Sequence, residues 1–517
     1  MRKTIIRAGE YHDSVFLLSI SKKLRALPGV NQVVAAMGTD MNKTVLEDTG
    51  LLDESGRAAT SKDLILALDI AEEDVANTVL AELDFCIAGG ESGGDGPKDY
   101  PSLDMANAAH PDSNLVMISV PGAFAALEAE HALELGKHCF IFSDNVELAD
   151  EVALKKLGRE KGLLVMGPGC GTSLIGGYAL GMMSAAARGP IGIVGASGSG
   201  IHQMAMIIDR AGGGISHAIG TGGRDLSDEV GGSTMLAGLE LLEQDPETKV
   251  LILVSKPPAP ATMQRILERV RQCSKPVIVH FLGGDPELVR KAGALAPETL
   301  EHAARMAMAL VAGETLPASP YEDYARELDP VAASLAKAGG GSLRGVFCGG
   351  THAEEAALVL ERLGLTVHSN LPLPCCASLK SPLQSEGDCI IDIGDEIFTQ
   401  GKPHPVIEPS IINPRIIQEA SDPQTGVILL DILCGFGAHP DPAGVVGDSI
   451  SQVLREAKQR GQELAVVVSL CGVHNDPQDV EGQRRTLEEA GAVVFFNNAQ
   501  AAYCAGKTIL LRRGEKQ

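Results

Sequence analysis

Short apolar runs alternate with longer amphipathic stretches along most of the chain. Apolar runs at Leu115–Ser119, Cys139–Phe142 and Leu163–Met166 are separated by helical patterns at about Ala123–Leu135 and Leu148–Lys161. Strands that alternate with helices in this way are typical of parallel βαβ units. The same pattern predicts later strands at Arg344–Cys348, Cys389–Ile393, Gly426–Leu433, Leu464–Leu470 and Val493–Phe496, with helices such as Ala353–Leu363 and Val446–Gly461. We therefore expect an α/β fold of several parallel-sheet modules.

Composition along the chain predicts how these elements are grouped. A length of 517 residues suits three or four domains. Residues 1–88 form a small α/β module, with predicted strands Thr4–Arg7, Val33–Met37 and Leu64–Leu68 and helices Ser14–Leu27 and Glu72–Leu83. The Gly-rich segment Gly89–Pro97 predicts a linker. Further modules are predicted at 98–187, 188–312 and 342–517, with the Pro-, Ala- and Gly-rich segment 312–341 as a second link.

Three strand ends in the module at 188–312 carry residues that suit an anionic ligand. The strand Ile191–Val194 runs into Gly195–Gly200, which opens a helix, and two later strands end at Gly220–Asp225 and Ser255–Pro258. Free backbone N–H groups at a helix start favour phosphate or carboxylate. The predicted phosphate-binding residues here are Ala196, Ser197, Gly198, Ser199, Gly200, Gly222 and Gly223. The alternative is a Gly-Ser loop that only turns the chain.

Longer motifs carry a family resemblance. The alpha subunit of succinyl-CoA synthetase is similar at Gly167–Thr172, Ser197–Ser199, Glu243–Thr248 and Ser274–Val277. Over its full length the chain resembles the FdrA family of NDP-forming acyl-CoA synthetase-like proteins, at Phe142–Val146, Lys161–Pro168, Gly223–Ser227, Gly401–Pro405 and Gly435–Gly437. The resemblance implies a Rossmann-like, CoA-binding-type domain at 98–187 and a flavodoxin-like, ligase-type domain at 188–312. It also implies that 342–517 is similar to the ligase domain of the beta subunit.

The resemblance further implies two helix starts that face each other around a phosphate. The first would be Ser197–Ile201, and the second Cys434–His439, where Gly435, Gly437 and Ala438 would offer backbone amides. A dianion between two opposed helix starts is a more specific arrangement than either loop alone. The alternative is a pair of tight turns between strand and helix.

One family feature is missing from the sequence. The related synthetases carry a Gly-His-Ala-Gly-Ala run, and the best match here is Arg290–Ala294, with Lys291 at the histidine position. A protonated lysine is a poor phosphoryl acceptor, and His302 nearby is predicted to be a surface residue of a helix. The sequence has no recognisable ATP-grasp module and no Gly-rich first turn in the CoA-binding-type domain. We therefore expect no phosphohistidine relay, and CoA remains an open cofactor.

Three side chains are predicted to be catalytic. Arg224 follows small residues at a strand end, where its planar fork suits phosphate or carboxylate, although a salt bridge to Asp225 or Asp228 is an equal alternative. Lys256 stands before two prolines at another strand end. His404, between Pro403 and Pro405, could donate a proton or a hydrogen bond, or be a structural histidine.

No metal site is predicted. Asp392, Asp395 and Glu396 could bind Mg²⁺, but an acidic turn at a strand end is the more common arrangement. His352, His439 and His474 have no ligand spacing with one another. Met306 and Met308 are predicted to be core residues of a helix.

Charge and cysteine usage exclude several classes of protein. The net charge of −24 argues against nucleic-acid and anionic-membrane partners, which require a cationic surface. No apolar run reaches the length of a membrane span, and the N-terminus has no signal-peptide pattern. Eleven cysteines lack CxxC spacing, which indicates a reducing compartment, and we expect the cytoplasm.

Three functions follow as hypotheses. The FdrA resemblance implies a carbamoyltransferase subunit that binds carbamoyl phosphate, transfers the carbamoyl group to a small acid such as oxamate in purine catabolism, and works with partner subunits in an oligomer. The superfamily alternatively implies a CoA-dependent acyl transferase or ligase. The third hypothesis is a non-catalytic scaffold that senses a phosphorylated metabolite, because the sequence offers no obvious nucleophile.

Overall fold

The structure is a computed structural model that describes residues 1–10, 12, 14–48, 50–87, 99–337, 340–400 and 402–515. It contains two compact units, Met1–Ala106 and Asn107–Gln517. The predicted linker Gly89–Pro97 lies outside the described residues. Each unit is described below by itself.

The first unit is built on a small antiparallel sheet. Its elements are β1 (Arg2–Arg7), α1 (Ser14–Arg25), β2 (Val30–Met37), α2 (Asp40–Asp48), α3 (Glu54–Ala58), β3 (Leu64–Ile70) and α4 (Glu73–Ile87), and α5 (Leu103–Ala109) follows at the boundary. The strand order is β1-β3-β2, with both pairs antiparallel. Since β3 is central and buried on both faces, its sequence LILALDI is almost wholly apolar. The three predicted strands and two predicted helices are all present.

A three-stranded parallel sheet opens the second unit. Its elements are β4 (Leu115–Ile118), α6 (Gly122–Glu134), β5 (His138–Ile141), α7 (Leu148–Lys161) and β6 (Val165–Met166). The order β4-β5-β6 confirms the predicted βαβ units.

The second sheet of this unit carries the predicted phosphate loop. Its elements are β7 (Thr172–Ile175), β8 (Tyr178–Gly181), β9 (Arg188–Gly195), α8 (Gly198–Arg210), β10 (Ile215–Gly220), α9 (Ser233–Gln244), β11 (Val250–Ser255), α10 (Pro260–Arg271), β12 (Val277–Phe281), α11 (Pro286–Lys291) and α12 (Leu300–Ala312). Strands β12, β11, β9 and β10 are parallel, and the antiparallel hairpin β7–β8 extends the edge beyond β10. That hairpin was not predicted, although its Gly176-Gly177 turn, with positive φ at both residues, is a recognisable hairpin signal.

The third sheet is wholly parallel. After α13 (Tyr321–Leu335) come β13 (Ser342–Phe347), α14 (Gly350–Arg362), β14 (Val367–Ser369), β15 (Cys376–Ser378), β16 (Asp388–Asp392), α15 (Glu396–Thr399), a 3₁₀ helix (Pro409–Ile412), α16 (Asn413–Ser421), β17 (Thr425–Leu433), α17 (Pro442–Gln459), β18 (Ala465–Cys471), α18 (Val480–Glu489), β19 (Val493–Phe495) and α19 (Asn498–Arg513). The strand order is β15-β14-β16-β13-β17-β18-β19. All five predicted strands of this half are present.

The segment 312–341 is more than a link. It contains α13, which packs against α19, and the rings of Tyr324 and Tyr503 lie 5.6 Å apart. The sequence predicted only a link here, and its Ala-rich part also suits a helix packed on a neighbour.

Among the described residues, no helix is both long enough and apolar enough to cross a membrane.

Candidate functional site

A cavity of about 430 Å³ lies at the carboxyl ends of β9 and β11, where α/β sheets bind ligands. Four of its lining residues were predicted from the sequence. Another, Thr351, was not predicted and lies on α14, which packs on the third sheet. The lining residues are Ala196, Ser197, Gly223, Leu226, Ser227, Ser255, Lys256, Pro257, Ala259 and Thr351.

The first helix start at this cavity is that of α8. Ser197 is the N-cap, and its Oγ accepts a hydrogen bond of 3.1 Å from the Gly200 amide. A Cβ at Gly200 would lie 2.3 Å from Ser197 Oγ and 3.2 Å from Thr351 Cγ2, so position 200 requires glycine. The amides of Gly198 and Ser199 belong to the first turn of the helix, where no intrahelical acceptor exists for them.

The second helix start is that of α14. The Oγ atom of Ser197 and the Oγ1 atom of Thr351, the second residue of α14, are 2.6 Å apart and hydrogen-bonded. A Cβ at Gly349, the N-cap of α14, would lie 3.0 Å from Ser199 Oγ. Two helix starts from two different sheets therefore meet at this cavity, as expected, but the second one was assigned to the wrong loop.

The loop at Gly435–Ala438 does not open a helix. Helix α17 begins at Pro442, with Asp441 as its N-cap. Phe436 instead pairs with Met183, and a Cβ at Gly437 would lie 3.0 Å from the Gly181 carbonyl oxygen. The Gly435 amide donates to Gln478 Oε1 at 2.9 Å, so this amide is already engaged.

A buried carboxylate holds the start of α14 in place. Asp431, on β17, accepts hydrogen bonds from the amides of Cys348 at 2.6 Å and Gly349 at 3.1 Å. It also accepts one of 3.0 Å from Nδ1 of His352. Within the described part of the chain, the buried Nε2 atom of that ring has no hydrogen-bond partner.

Lys256 places a cation at the cavity. Its side chain is half exposed, and its Nζ atom is 3.9 Å from Oε2 of the buried Glu354, one turn after Thr351 on α14. Burial raises the pKa of Glu354 to about 7, although the ammonium of Lys256 acts in the opposite direction. The position of Lys256 suits the predicted role of anchoring an anion, and that role stays a prediction.

Asp392 lies beside the first residue of α14 and His404 lies beside Asp392, although neither is a lining residue of the cavity. Asp392 ends β16, and burial raises its pKa to about 7, helped by the charges of Asp431 and Asp395. A Cβ at Gly350 would lie 2.9 Å from Asp392 Oδ2. A Cβ at Gly394 would lie 2.9 Å from His404 Nε2 and 3.0 Å from Asp392 Oδ1, so the imidazole and the carboxyl are close neighbours. Gly401, at the start of the His404 motif, lies outside the described residues.

Arg224 does not line the cavity. Its Nε atom is 2.9 Å from Oε2 of the buried Glu151, and its Nη2 atom donates to the Val146 carbonyl oxygen at 2.7 Å. The alternative of a salt bridge to Asp225 or Asp228 is also wrong, because Asp225 pairs with Lys155 and caps α9 through the amides of Thr234 and Met235. Gly222, with φ of +83°, packs against the Pro168 carbonyl oxygen.

Lys291 and His302, the two residues considered at or near the family histidine position, differ in exposure. Lys291 is exposed at the end of α11. His302, expected at the surface, is buried instead, and its Nδ1 atom accepts a hydrogen bond from the Glu298 amide. Burial lowers the pKa of His302, as it should for a cation taken out of water.

The residues present do not favour CoA at the first turn of the sheet β4-β5-β6. The N-cap of α6 is Pro121, which has no N–H to offer a pyrophosphate. A Cβ at Gly122, the next residue, would lie 2.2 Å from the Asp144 carbonyl oxygen, so its space is already filled by backbone. Among the described residues, no group of three or more His, Cys, Asp and Glu side chains could hold a metal ion.

Three family models match the chain. They are described as the AllF heavy metal-associated domain at residues 1–100, the CoA binding domain at 187–283 and CoA-ligase at 346–508. The second match falls on the sheet that carries the Ser197 loop, and the third begins in β13, just before the α14 start. The start of α8 therefore lies in the CoA binding domain match, and the start of α14 lies in the CoA-ligase match.

A curated relative matches nearly the whole chain. YahF of Escherichia coli (strain K12) is 38% identical over 515 residues, which is 98% of each chain. The chain therefore belongs to the FdrA-like family of acyl-CoA synthetase-like proteins, with parallel-sheet modules of Rossmann-like and succinyl-CoA synthetase-like type.

Enzymes of CoA ligation are more distant relatives. The succinate–CoA ligase (ADP-forming) subunit alpha 1 of Archaeoglobus fulgidus is 27% identical over 38% of this chain and 69% of its own length. The malate–CoA ligase subunit alpha of Methylorubrum extorquens is 28% identical over 43% and 79%. The dinucleotide-forming acetyl-coenzyme A synthetase 1 of Ca. Korarchaeum cryptofilum aligns over 82% of this chain and 88% of its own, with 15% identity and a TM-score of 0.35.

Proposed function

We propose that the chain binds an acyl phosphate, and specifically carbamoyl phosphate, between the starts of α8 and α14 and promotes transfer of its acyl group to a small nitrogenous acid such as oxamate. The observation that carries this proposal is the Ser197–Thr351 contact of 2.6 Å, which brings two helix starts from two sheets to one cavity. Each start offers first-turn amides and the positive end of a helix dipole to a phosphate.

Three features of the proposed site have separate roles. The first-turn amides of α8 and α14 hold the phosphate and stabilise it as it leaves. Lys256 attracts the carboxylate of the acceptor, since its side chain is half exposed at the cavity. Binding both substrates in one cavity positions the acceptor nitrogen against the acyl carbon, so no covalent intermediate is needed.

A phosphohistidine relay is not part of this proposal. Lys291 occupies the position of the family histidine and points its charge to solvent. We further propose that turnover in the cell involves partner subunits, as the resemblance to the FdrA family implies. A scaffold that only senses a phosphorylated metabolite is the alternative if the chain binds the ligand without any turnover.

CoA-dependent ligation is a second candidate, favoured by the matches to the CoA binding domain and CoA-ligase models. When bound, CoA would supply a thiol nucleophile. Ser197, Gly223 and Lys256 are the cavity residues that could contact it. The two candidates differ in the nucleophile and share the phosphate-binding helix starts.

Isothermal titration calorimetry of the full chain against carbamoyl phosphate, inorganic phosphate and CoA separates these candidates. We expect carbamoyl phosphate and phosphate to bind, and Ser197→Asp to weaken both by at least about tenfold, because it places a negative charge beside the bound phosphate. Ser233→Asp is the matched control, since it adds the same charge at the start of α9, away from the cavity.

Unchanged phosphate affinity in the Ser197→Asp chain would contradict the site. Binding of CoA with no binding of either phosphate would favour the ligase alternative instead. Binding of the phosphates, combined with failure to release phosphate in the presence of oxamate, would leave the sensing scaffold as the better description.

A further inference from the structure

Asp392 is a buried carboxyl with one oxygen turned toward the start of α14. Only 6% of the residue is exposed, and its Oδ1 atom accepts a hydrogen bond of 2.8 Å from the Gly394 amide. Its Oδ2 atom stands over Gly350, next to the cavity residue Thr351. Within the residues that the structure describes, no group donates a hydrogen bond to Oδ2, so this oxygen is free to take a proton.

The neighbouring His404 is a hydrogen-bond donor rather than a base. Its Nδ1 atom accepts the Val406 amide proton at 3.3 Å, so the proton of the neutral ring resides on Nε2. Burial lowers the pKa of His404, which keeps the ring neutral. A Cβ at Gly394 would lie 2.9 Å from this Nε2 atom and 3.0 Å from Asp392 Oδ1, so the donor and the carboxyl border the same glycine.

We propose that Asp392 is the proton acceptor of the acyl-transfer step, with His404 as the hydrogen-bond donor to an oxygen of the acyl phosphate. The inference rests on the proposed function and deepens it. The acceptor nitrogen forms a bond to the carbonyl carbon, the bond from that carbon to the phosphate oxygen breaks, and phosphate departs with its electron pair. The N–H proton of the acceptor moves to Asp392 Oδ2.

Other candidate bases at the site are less suitable. Oε2 of Glu354 is fully enclosed, so a bound acceptor cannot reach it, and it has no hydrogen-bond partner among the described residues. His352 is committed to Asp431 through Nδ1, and its Nε2 atom is buried. Asp392 combines a free oxygen with a position above the first residue of α14.

The test compares two acceptors with different needs for a base. An amide nitrogen such as that of oxamate is not nucleophilic until it loses a proton, whereas hydroxylamine attacks as the free base. We expect Asp392→Asn to lower kcat for transfer from carbamoyl phosphate to oxamate by about 100-fold or more, and to change transfer to hydroxylamine at pH 8 by less than about fivefold. Asp395→Asn is the matched control, because its Oδ1 atom is occupied by the Ile397 amide and loss of its charge lowers the pKa of Asp392, which leaves that carboxylate ionised at pH 8.

The pH profile of the unmodified chain gives an independent test. Transfer to oxamate should decline as pH falls through about 7, where Asp392 becomes protonated. The groups that set this pKa are Asp431 and Asp395, which raise it, and Lys256, which lowers it; the neutral His404 ring and the Cys348 thiol also face the carboxyl.

The outcomes separate this inference from the proposed function. If the unmodified chain transfers the carbamoyl group to neither acceptor, the proposed function fails and the inference with it. If transfer occurs but Asp392→Asn slows both acceptors equally, or slows neither, Asp392 is not the proton acceptor. A rate for oxamate that is flat between pH 5.5 and 8 would overturn the inference without any variant.

Discussion

At the scale of residues, the site concentrates groups that the fold would be more stable without. Burial raises the pKa values of Asp392 and Glu354 to about 7, so at higher pH each carries a charge in a poorly solvated position. Residues that conflict with stability in this way are characteristic of functional sites. The same reasoning does not apply to Asp431, whose two oxygens are both hydrogen-bonded to the α14 start.

The destabilising effect of the Asp392 carboxylate should be measurable as a pH dependence of the free energy of unfolding. Because its pKa is raised in the folded state, protonation stabilises the fold fully below about pH 4, and this contribution is lost as pH rises through about 7. At pH 8 the Asp392→Asn chain should therefore unfold at a higher temperature than the unmodified chain. Its free energy of unfolding should be higher by up to about 4 kcal/mol. At pH 5 the difference should be much smaller. A variant that is less stable at pH 8 would show that the carboxylate is needed for folding.

At the scale of elements, the site depends on the contact between α8 and α14. The Ser197–Thr351 hydrogen bond joins hydroxyls 154 positions apart in sequence, and Asp431 fixes the second helix from a third element, β17. The proposed anion site therefore depends on the junction between two sheets rather than on one Gly-rich loop.

Removing the hydroxyl of Thr351 tests this junction. Thr351→Val keeps the shape of the side chain and should weaken phosphate binding by about fivefold to tenfold, since one hydrogen bond is worth about 1 kcal/mol. Thr351→Ser retains the hydroxyl and should bind nearly as the unmodified chain does, as measured by calorimetry with inorganic phosphate. Equal affinities for the Val and Ser variants would mean that the contact does not position the site.

The elements also show how far the sequence could predict the site. Ala196, Ser197, Gly223 and Lys256 were recognised because they follow apolar strands, and parallel strands place their carboxyl ends at one edge. Thr351 was missed because its position depends on how two sheets pack, which no local pattern records. The Gly435–Ala438 loop also carries two glycines, yet those glycines serve close packing against Gly181 and Met183.

At the scale of the whole molecule, the described contacts of the site all lie within the unit Asn107–Gln517. A chain that begins at Asn107 should therefore bind inorganic phosphate with the affinity of the full chain, provided that its circular dichroism shows a folded protein. Loss of binding in a folded truncated chain would mean that Met1–Ala106 contributes to the site. The predicted four-module division remains a prediction beyond these two compact units.

The hydrogen bonds of Asp431 also have a consequence during protein synthesis. The start of α14 is held by a residue that the ribosome adds 80 positions after Thr351, and more than 200 after Ser197. At a synthesis rate of about 5–20 residues per second, β17 is made some tens of seconds after the Ser197 loop. In a nascent chain the proposed anion site is therefore incomplete until β17 has emerged, and a ligand of that site would stabilise only the last stage of folding.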